Sequence, residues 1–141
     1  MSKQNGAAAP NTEPAANAKR QSALMVCVTG QRACERLIER GVLVRNGNEK
    51  MFVVHCAQTG HKFLNYQSEP DAIEYLFTCA SLADAELTIL RENNVIDALV
   101  DFAVSNGVTR IILGASPTQN SDSFAARFAA RLNDVEFIVV E

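Results

Sequence analysis

Two short glycine-bearing turns hold the residue types from which a phosphate or ribose site is built. One is Thr29-Gly30-Gln31-Arg32, and the other is Gly114-Ala115-Ser116 with the polar loop that carries Ser121 and Ser123. Each follows directly on a buried-strand run, Ala23-Leu24-Met25-Val26-Cys27-Val28 in one case and Ile111-Ile112-Leu113 in the other. Where such a strand ends in a glycine and hydroxyl residues before a helix, backbone N–H groups open toward a ligand and an anion is held by dipoles. Arg32 adds a positive charge at the start of the helix after the first turn. A lone glycine calls for nothing beyond a bend in the chain. Two such turns brought to one place point to a ligand.

Other chemistry finds less support. Serines 116, 121 and 123 share a loop, but there is no G-x-S-x-G elbow and both histidines, His55 and His61, belong to one segment. A serine nucleophile with its base is therefore not expected, and the chain is not read as an enzyme. His55 reads as a strand-end residue bonded to backbone. His61 and Lys62 read as a solvated loop tip within reach of a phosphate. No G-x-x-x-x-G-K-[ST] loop occurs. Cys27, Cys34, Cys56 and Cys79 lie inside apolar segments without a C-x-x-C pair, the pattern of buried reduced thiols and not of a metal site.

The elements that position the two turns follow from apolar periodicity. Ala23 to Val28 is apolar without alternation, as in a parallel strand covered on both faces. Cys34, Leu37, Ile38, Gly41 and Val42 then recur at helical spacing. After the Asn46-Gly47-Asn48 turn comes Met51-Phe52-Val53-Val54-His55-Cys56, a second covered strand. Ser68, Pro70 and Asp71 mark a helix start, and Ile73, Leu76, Phe77 and Ala80 its apolar positions. Ala85-Glu86-Leu87-Thr88-Ile89-Leu90 alternates, which predicts a half-exposed edge strand. Asn94 and Asp97 cap a third helix with Ile96, Leu99, Val100 and Ala103 inward, closed by Asn106-Gly107. Ile111 to Gly114 is the fourth strand, Phe124, Phe128 and Leu132 mark the fourth helix, and Glu136 to Val140 is the fifth strand.

Five strands alternating with four helices predict an α/β three-layer sandwich, Rossmann-like, with a parallel sheet of order 3-2-1-4-5. The direction of winding then reverses between strands one and four, where sheets of this kind bind ligands at their carboxyl ends. The two glycine turns would form the walls of that crevice.

The 141 residues suit one folded domain over 23–141, preceded by a polar, Ala- and Asn-rich segment over 1–22 that reads as a disordered tail. A net charge of -3 argues against nucleic acid as a partner. No run approaches the length needed to span a bilayer and no hydrophobic signal core opens the chain, so a cytoplasmic protein is expected. The strand Phe137-Ile138-Val139-Val140 falls at the predicted sheet edge, where a second copy could pair with it.

The order of elements resembles the universal stress protein domain, with Val26-Cys27-Val28-Thr29-Gly30, Val53-Val54-His55 and Ile111-Ile112-Leu113-Gly114 at the matching strands. More narrowly, Cys27 to Gln31 with Cys34 to Ile38, Glu92 to Val95, Asn106 to Thr109 and Ser123 to Phe128 resemble the stress-protein module of Kdp-type potassium-sensing histidine kinases. The likeness spans 23–141, without a kinase domain. It implies the adenine-nucleotide α-hydrolase-like fold and a regulatory protein. It also implies an adenine nucleotide, ATP or AMP, lying against Thr29, Gly30, Gln31, Arg32, the Val54 backbone, Gly114, Ala115, Ser116, Ser121 and Ser123. Family members often form homodimers, here through the Phe137 to Val140 edge, and a regulatory protein partner is implied too. Nucleotide-binding members carry an aspartate after strand one and G-x2-G-x9-G-[ST] after strand four. Here Thr29, Pro117 and Arg127 stand at three of those positions, and without the glycines the loop wraps a triphosphate less closely. Some Kdp-type modules bind cyclic di-AMP through a pattern like S-x-S-x20-F-T-A-x-Y. Thr29-Gly30-Gln31 and Phe52 keep its spacing and its phenylalanine, with the other named residues changed.

Overall fold

The computed structural model describes residues 22–28, 34–57, 69–115 and 123–140. Five strands run through it: β1 (Ala23–Cys27), β2 (Lys50–Ala57), β3 (Glu86–Arg91), β4 (Val108–Gly114) and β5 (Glu136–Val140). Four helices alternate with them: α1 (Cys34–Val44), α2 (Glu69–Leu82), α3 (Val95–Ser105) and α4 (Phe124–Ala129). The strands form one parallel sheet in the order β3-β2-β1-β4-β5, the predicted doubly wound arrangement.

The unbroken apolar runs explain the layering. Successive strand residues point to opposite faces, so a strand covered on both sides must be apolar at every position. Leu24, Val26 and Val28 pack with Met51, Val53 and Ile112 against Leu37, Ile38 and Leu76 of α1 and α2. Their neighbours Met25, Cys27, Phe52, Val54, Ile111 and Leu113 pack on the other side against Leu99, Val100 and Phe128 of α3 and α4. On that second side Phe128 meets Phe137 edge-on with ring centres 5.2 Å apart, and Phe52 meets Phe102 at the same distance. On the first side Gly41 brings α1 close to the sheet, since a Cβ there would stand 2.8 Å from Met51 Cε and 3.0 Å from Val26 Cγ2.

Local signals act where the sequence places them. Gly47 and Gly107 take positive φ, 48° and 64°, in the turns after α1 and α3. Asn94 caps α3, its side chain accepting from the Asp97 N–H at 3.1 Å. Ser123 caps α4 in the same way through the Ala126 N–H at 3.1 Å.

Several expectations need correction. Val42 is 48% exposed although its spacing put it on the buried face. It lies on the flank of the buried arc formed by Cys34, Leu37, Ile38 and Gly41. Phe77, expected inward on α2, is exposed too. Leu132 follows α4, which stops at Ala129, so four-residue spacing outran the helix. Edge strand β3 is half-buried from Leu87 to Leu90 instead of alternating. Cys56 and Cys79 are half-buried, while Cys27 and Cys34 are buried as expected. Ser68 and the tail through residue 21 lie outside the described residues.

Candidate functional site

The carboxyl edge of the sheet is level across its middle strands. Cys27 pairs with Val54 and Val26 with Ile112. Carrying these registers forward puts His55, Val28 and Gly114 in one row, and Gly114 pairs with Val140. Neighbouring parallel strands stand about 4.8 Å apart, so the chain leaves β1 and β4 through adjacent exits.

The tips are held by backbone hydrogen bonds. The Val28 N–H donates to the Val54 carbonyl at 2.9 Å. The Val28 carbonyl accepts from Nδ1 of His55 at 2.7 Å, which fixes a proton on that nitrogen, because a carbonyl has none to give. His55 is buried. Its ring therefore secures the end of β1 just before the first glycine turn. Sequence reasoning gave His55 this structural role and kept it out of the site. The signal that it bears on the site is its place one residue after Val54.

At the second wall, Gly114 is half-buried and ends β4 without a left-handed φ. A Cβ built there would meet only Leu37 of α1, at 3.9 and 4.0 Å, which is ordinary contact. Packing among the described residues thus does not require a glycine at this position. The Ala115 N–H donates to the Val140 carbonyl at 2.8 Å, extending the sheet and occupying one donor the loop would otherwise offer. Ser123, buried, points its oxygen at its own helix as the cap of α4.

Of the predicted site residues, the structure thus places Val54, Gly114, Ala115 and Ser123 at the carboxyl edge. Thr29, Gly30, Gln31, Arg32, Ser116 and Ser121 lie outside the described residues, as do His61 and Lys62. A separate hollow of about 520 Å³ opens between the starts of α3 and α4, lined by Asn93, Asn94, Val95, Ile96, Phe124 and Arg127. Beside it, Arg131 pairs with Asp97 at 2.7 Å and ties the end of α4 to the first turn of α3.

The chemistry available among the described residues is that of dipoles and protonated groups. No cluster of three or more His, Cys, Asp or Glu side chains is arranged to hold a metal there. The cysteines are free thiols. Burial, reinforced by the nearby Cys56, drives the Cys27 thiol far above its ordinary value. Burial likewise raises Cys34, Cys56 and Cys79, so none of the four is a ready thiolate.

Comparison with known proteins supports the fold. No family model matches the chain, and no curated protein sequence matches it. Solved structures do. A universal stress protein from Archaeoglobus fulgidus superposes with a TM-score of 0.60 at 22% identity, covering 85% of this chain and 93% of that one. The universal stress protein from the same organism in complex with dAMP gives 0.52 at 20% identity, covering 85% and 98%. A universal stress protein in complex with cAMP gives 0.55 at 17% identity, covering 86% and 98%. This chain has the α/β fold of those structures over 85 to 86% of its length. No helix among the described residues is long and apolar enough to cross a membrane.

Proposed function

We propose that this protein is a small regulatory protein of the universal stress type that binds an adenine nucleotide at the carboxyl edge between β1 and β4. The observation that carries this reading is the adjacency of the β1 and β4 tips at the one place where the sheet reverses its winding. Solved structures of the same fold are in complex with dAMP and cAMP. ATP, AMP and cyclic di-AMP are the ligands to test. The role is binding without turnover, in the cytoplasm, and the likeness to Kdp-type modules connects it with stress or potassium-linked signalling.

Isothermal titration of the full chain with the three nucleotides tests the reading. A saturable isotherm is expected for at least one, and flat traces for all three end the nucleotide hypothesis. Gly114→Val sharpens the test. Valine suits a strand, and a Cβ at this position meets only Leu37 at contact distance. The fold should hold while a nucleotide lying across the β4 tip binds at least about tenfold more weakly.

A second reading is a ligand-free module that works by association. It is favoured by the bond from Ala115 to Val140, which ties the start of the second loop into the sheet. The expected surface for this is the edge of β5, where Val139 is 42% exposed. A strand-edge dimer would dissociate on Val139→Lys and keep its size if that edge is unused.

A further inference from the structure

A phosphate at the carboxyl edge needs N–H donors or a cation, and the described part of the second wall is short of both. The Ala115 N–H is taken by the Val140 carbonyl. Two residues further on, Pro117 has no N–H to give. The hollow between the starts of α3 and α4 supplies what that wall lacks. α3 packs behind β2 and β4 as it crosses the sheet, and α4 sets Phe128 against Phe137 of β5. The hollow between their starts therefore stands at the edge where β1 and β4 end.

Among the described residues its lining holds one charged group, the guanidinium of Arg127. That guanidinium has no ion pair or hydrogen bond among the described residues. Arg131, one turn further on, is already engaged by Asp97 at 2.7 Å. The same pair satisfies the carboxylate in the first turn of α3 and leaves the charge of Arg127 uncompensated. Glu92 precedes the hollow in sequence but does not line it. The rest of the lining sets Val95, Ile96 and Phe124 beside the amides of Asn93 and Asn94. Apolar surface with a few convergent polar groups, in about 520 Å³, is the make-up of a small-molecule site. A guanidinium is a planar fork that can hold two oxygens of one phosphate at once.

We infer that the phosphate of a nucleoside monophosphate lies in this hollow against Arg127, which makes the carboxyl edge selective for a monophosphate. The inference rests on the nucleotide reading proposed above and adds to it the phosphate partner and the ligand class. A nucleoside leaves Arg127 unused. A triphosphate brings further negative charge that meets no second unpaired cation among the described residues of the hollow.

Isothermal titration of the full chain with adenosine, AMP and ATP provides the test. The wild type is expected to bind AMP at least about tenfold more tightly than adenosine, and ATP no more tightly than AMP. Arg127→Gln should leave adenosine binding unchanged and bring AMP down to the adenosine level. Arg127 is exposed, so circular dichroism should show an unchanged fold. Arg40→Gln makes the same change of charge on α1, which packs on the opposite face of the sheet, and should alter none of the three affinities. A preference for AMP that survives Arg127→Gln overturns the inference. So does a preference lost on Arg32→Gln instead, or ATP binding at least about tenfold tighter than AMP. In each of those cases a nucleotide still binds, and the reading of the edge as a nucleotide site stands. Flat traces for all three compounds remove that reading and the inference together.

Discussion

The two edges of the sheet are built on opposite principles. At the amino edge charged groups answer one another. Glu49, its side chain only 2% exposed, pairs with Arg110 and accepts from the Ser22 hydroxyl at 2.8 Å and the Asn46 N–H at 3.1 Å. Arg45 donates to the carbonyls of Glu49, Ala83 and Asp84 at 2.8, 2.9 and 3.0 Å, which pins the end of α2 to the turn after α1. At the carboxyl edge the described contacts of the β1 and β4 tips are backbone bonds and one histidine. The parallel strands all start at one edge and end at the other, so a single sheet can devote one edge to clamping and leave dipoles and loops at the other. The hollow of about 590 Å³ at the amino edge is therefore an unattractive anion site, because the carboxylate of Glu49 is among its lining groups.

If that contrast holds, the largest change in stability belongs to the clamp. Glu49→Ala should cost about 3 to 5 kcal/mol in chemical denaturation, since it leaves the Arg110 charge partly buried and unpaired. Nucleotide affinity of the fraction that stays folded should not change. The same carboxyl makes the clamp sensitive to acid. Burial alone would raise its pKa, but the Asn46 N–H, the Ser22 hydroxyl and Arg110 together hold it below the ordinary glutamate value. A carboxyl depressed in the folded state adds stability that is fully present above its unfolded pKa and is lost as pH falls through the folded one. Melting temperature should therefore drop as pH falls below the ordinary glutamate range, and more steeply for the wild type than for Glu49→Gln. Parallel curves for the two would show that the clamp does not titrate.

The carboxyl edge should respond less in stability and more in binding. His55→Phe keeps a ring in the buried site but removes the donor to the Val28 carbonyl, which should cost about 1 to 3 kcal/mol. That bond steadies the end of β1 just before Thr29. Under the proposed function, the nucleotide should also bind more weakly to the folded variant. A loss of stability without any change in affinity would mean that the β1 tip does not shape the site.

The same physics makes some features legible in the sequence and hides others. Strands covered on both faces must be apolar throughout, so Ala23 to Val28 and Met51 to Cys56 were legible, and so was the winding order. His55 was legible too, because a polar residue ending such a run needs a local partner. Periodicity says nothing about which flank a neighbouring helix covers, and Val42 was misplaced for that reason. Nor does it mark a helix end that no glycine signals, which left Leu132 beyond α4. The Glu49 clamp was invisible. A glutamate after Asn-Gly-Asn looks like part of a solvated turn, and its partners Ser22 and Arg110 are 27 and 61 residues away in the chain. The candidate site was legible only as two glycine turns, and Thr29, Gly30, Gln31, Arg32, Ser116 and Ser121, most of its expected residues, lie outside the described residues.

The smallest expected effects are those of the helix caps at the carboxyl edge, and they decide whether that edge is a binding surface or only a set of helix starts. Ser123→Ala and Asn94→Ala each remove an oxygen that accepts from the third residue on, at 3.1 Å in both cases. Each should cost about 1 kcal/mol, with glycine in place of alanine costing only a few tenths. The two caps begin very different helices. α3 has eleven residues and a buried face of Leu99, Val100 and Ala103 to hold it. α4 has six residues and one buried side chain, Phe128. Losing Ser123 should therefore loosen its helix as a whole, seen as faster amide exchange from Ala126 to Ala130, whereas losing Asn94 should affect only the first turn of α3. If Ser123 also touches the nucleotide, Ser123→Thr should recover both the cap and the affinity, and Ser123→Gly the stability alone. Equal affinity across alanine, glycine and threonine would confine Ser123 to its cap and leave ligand contact on the second wall to the chain before it.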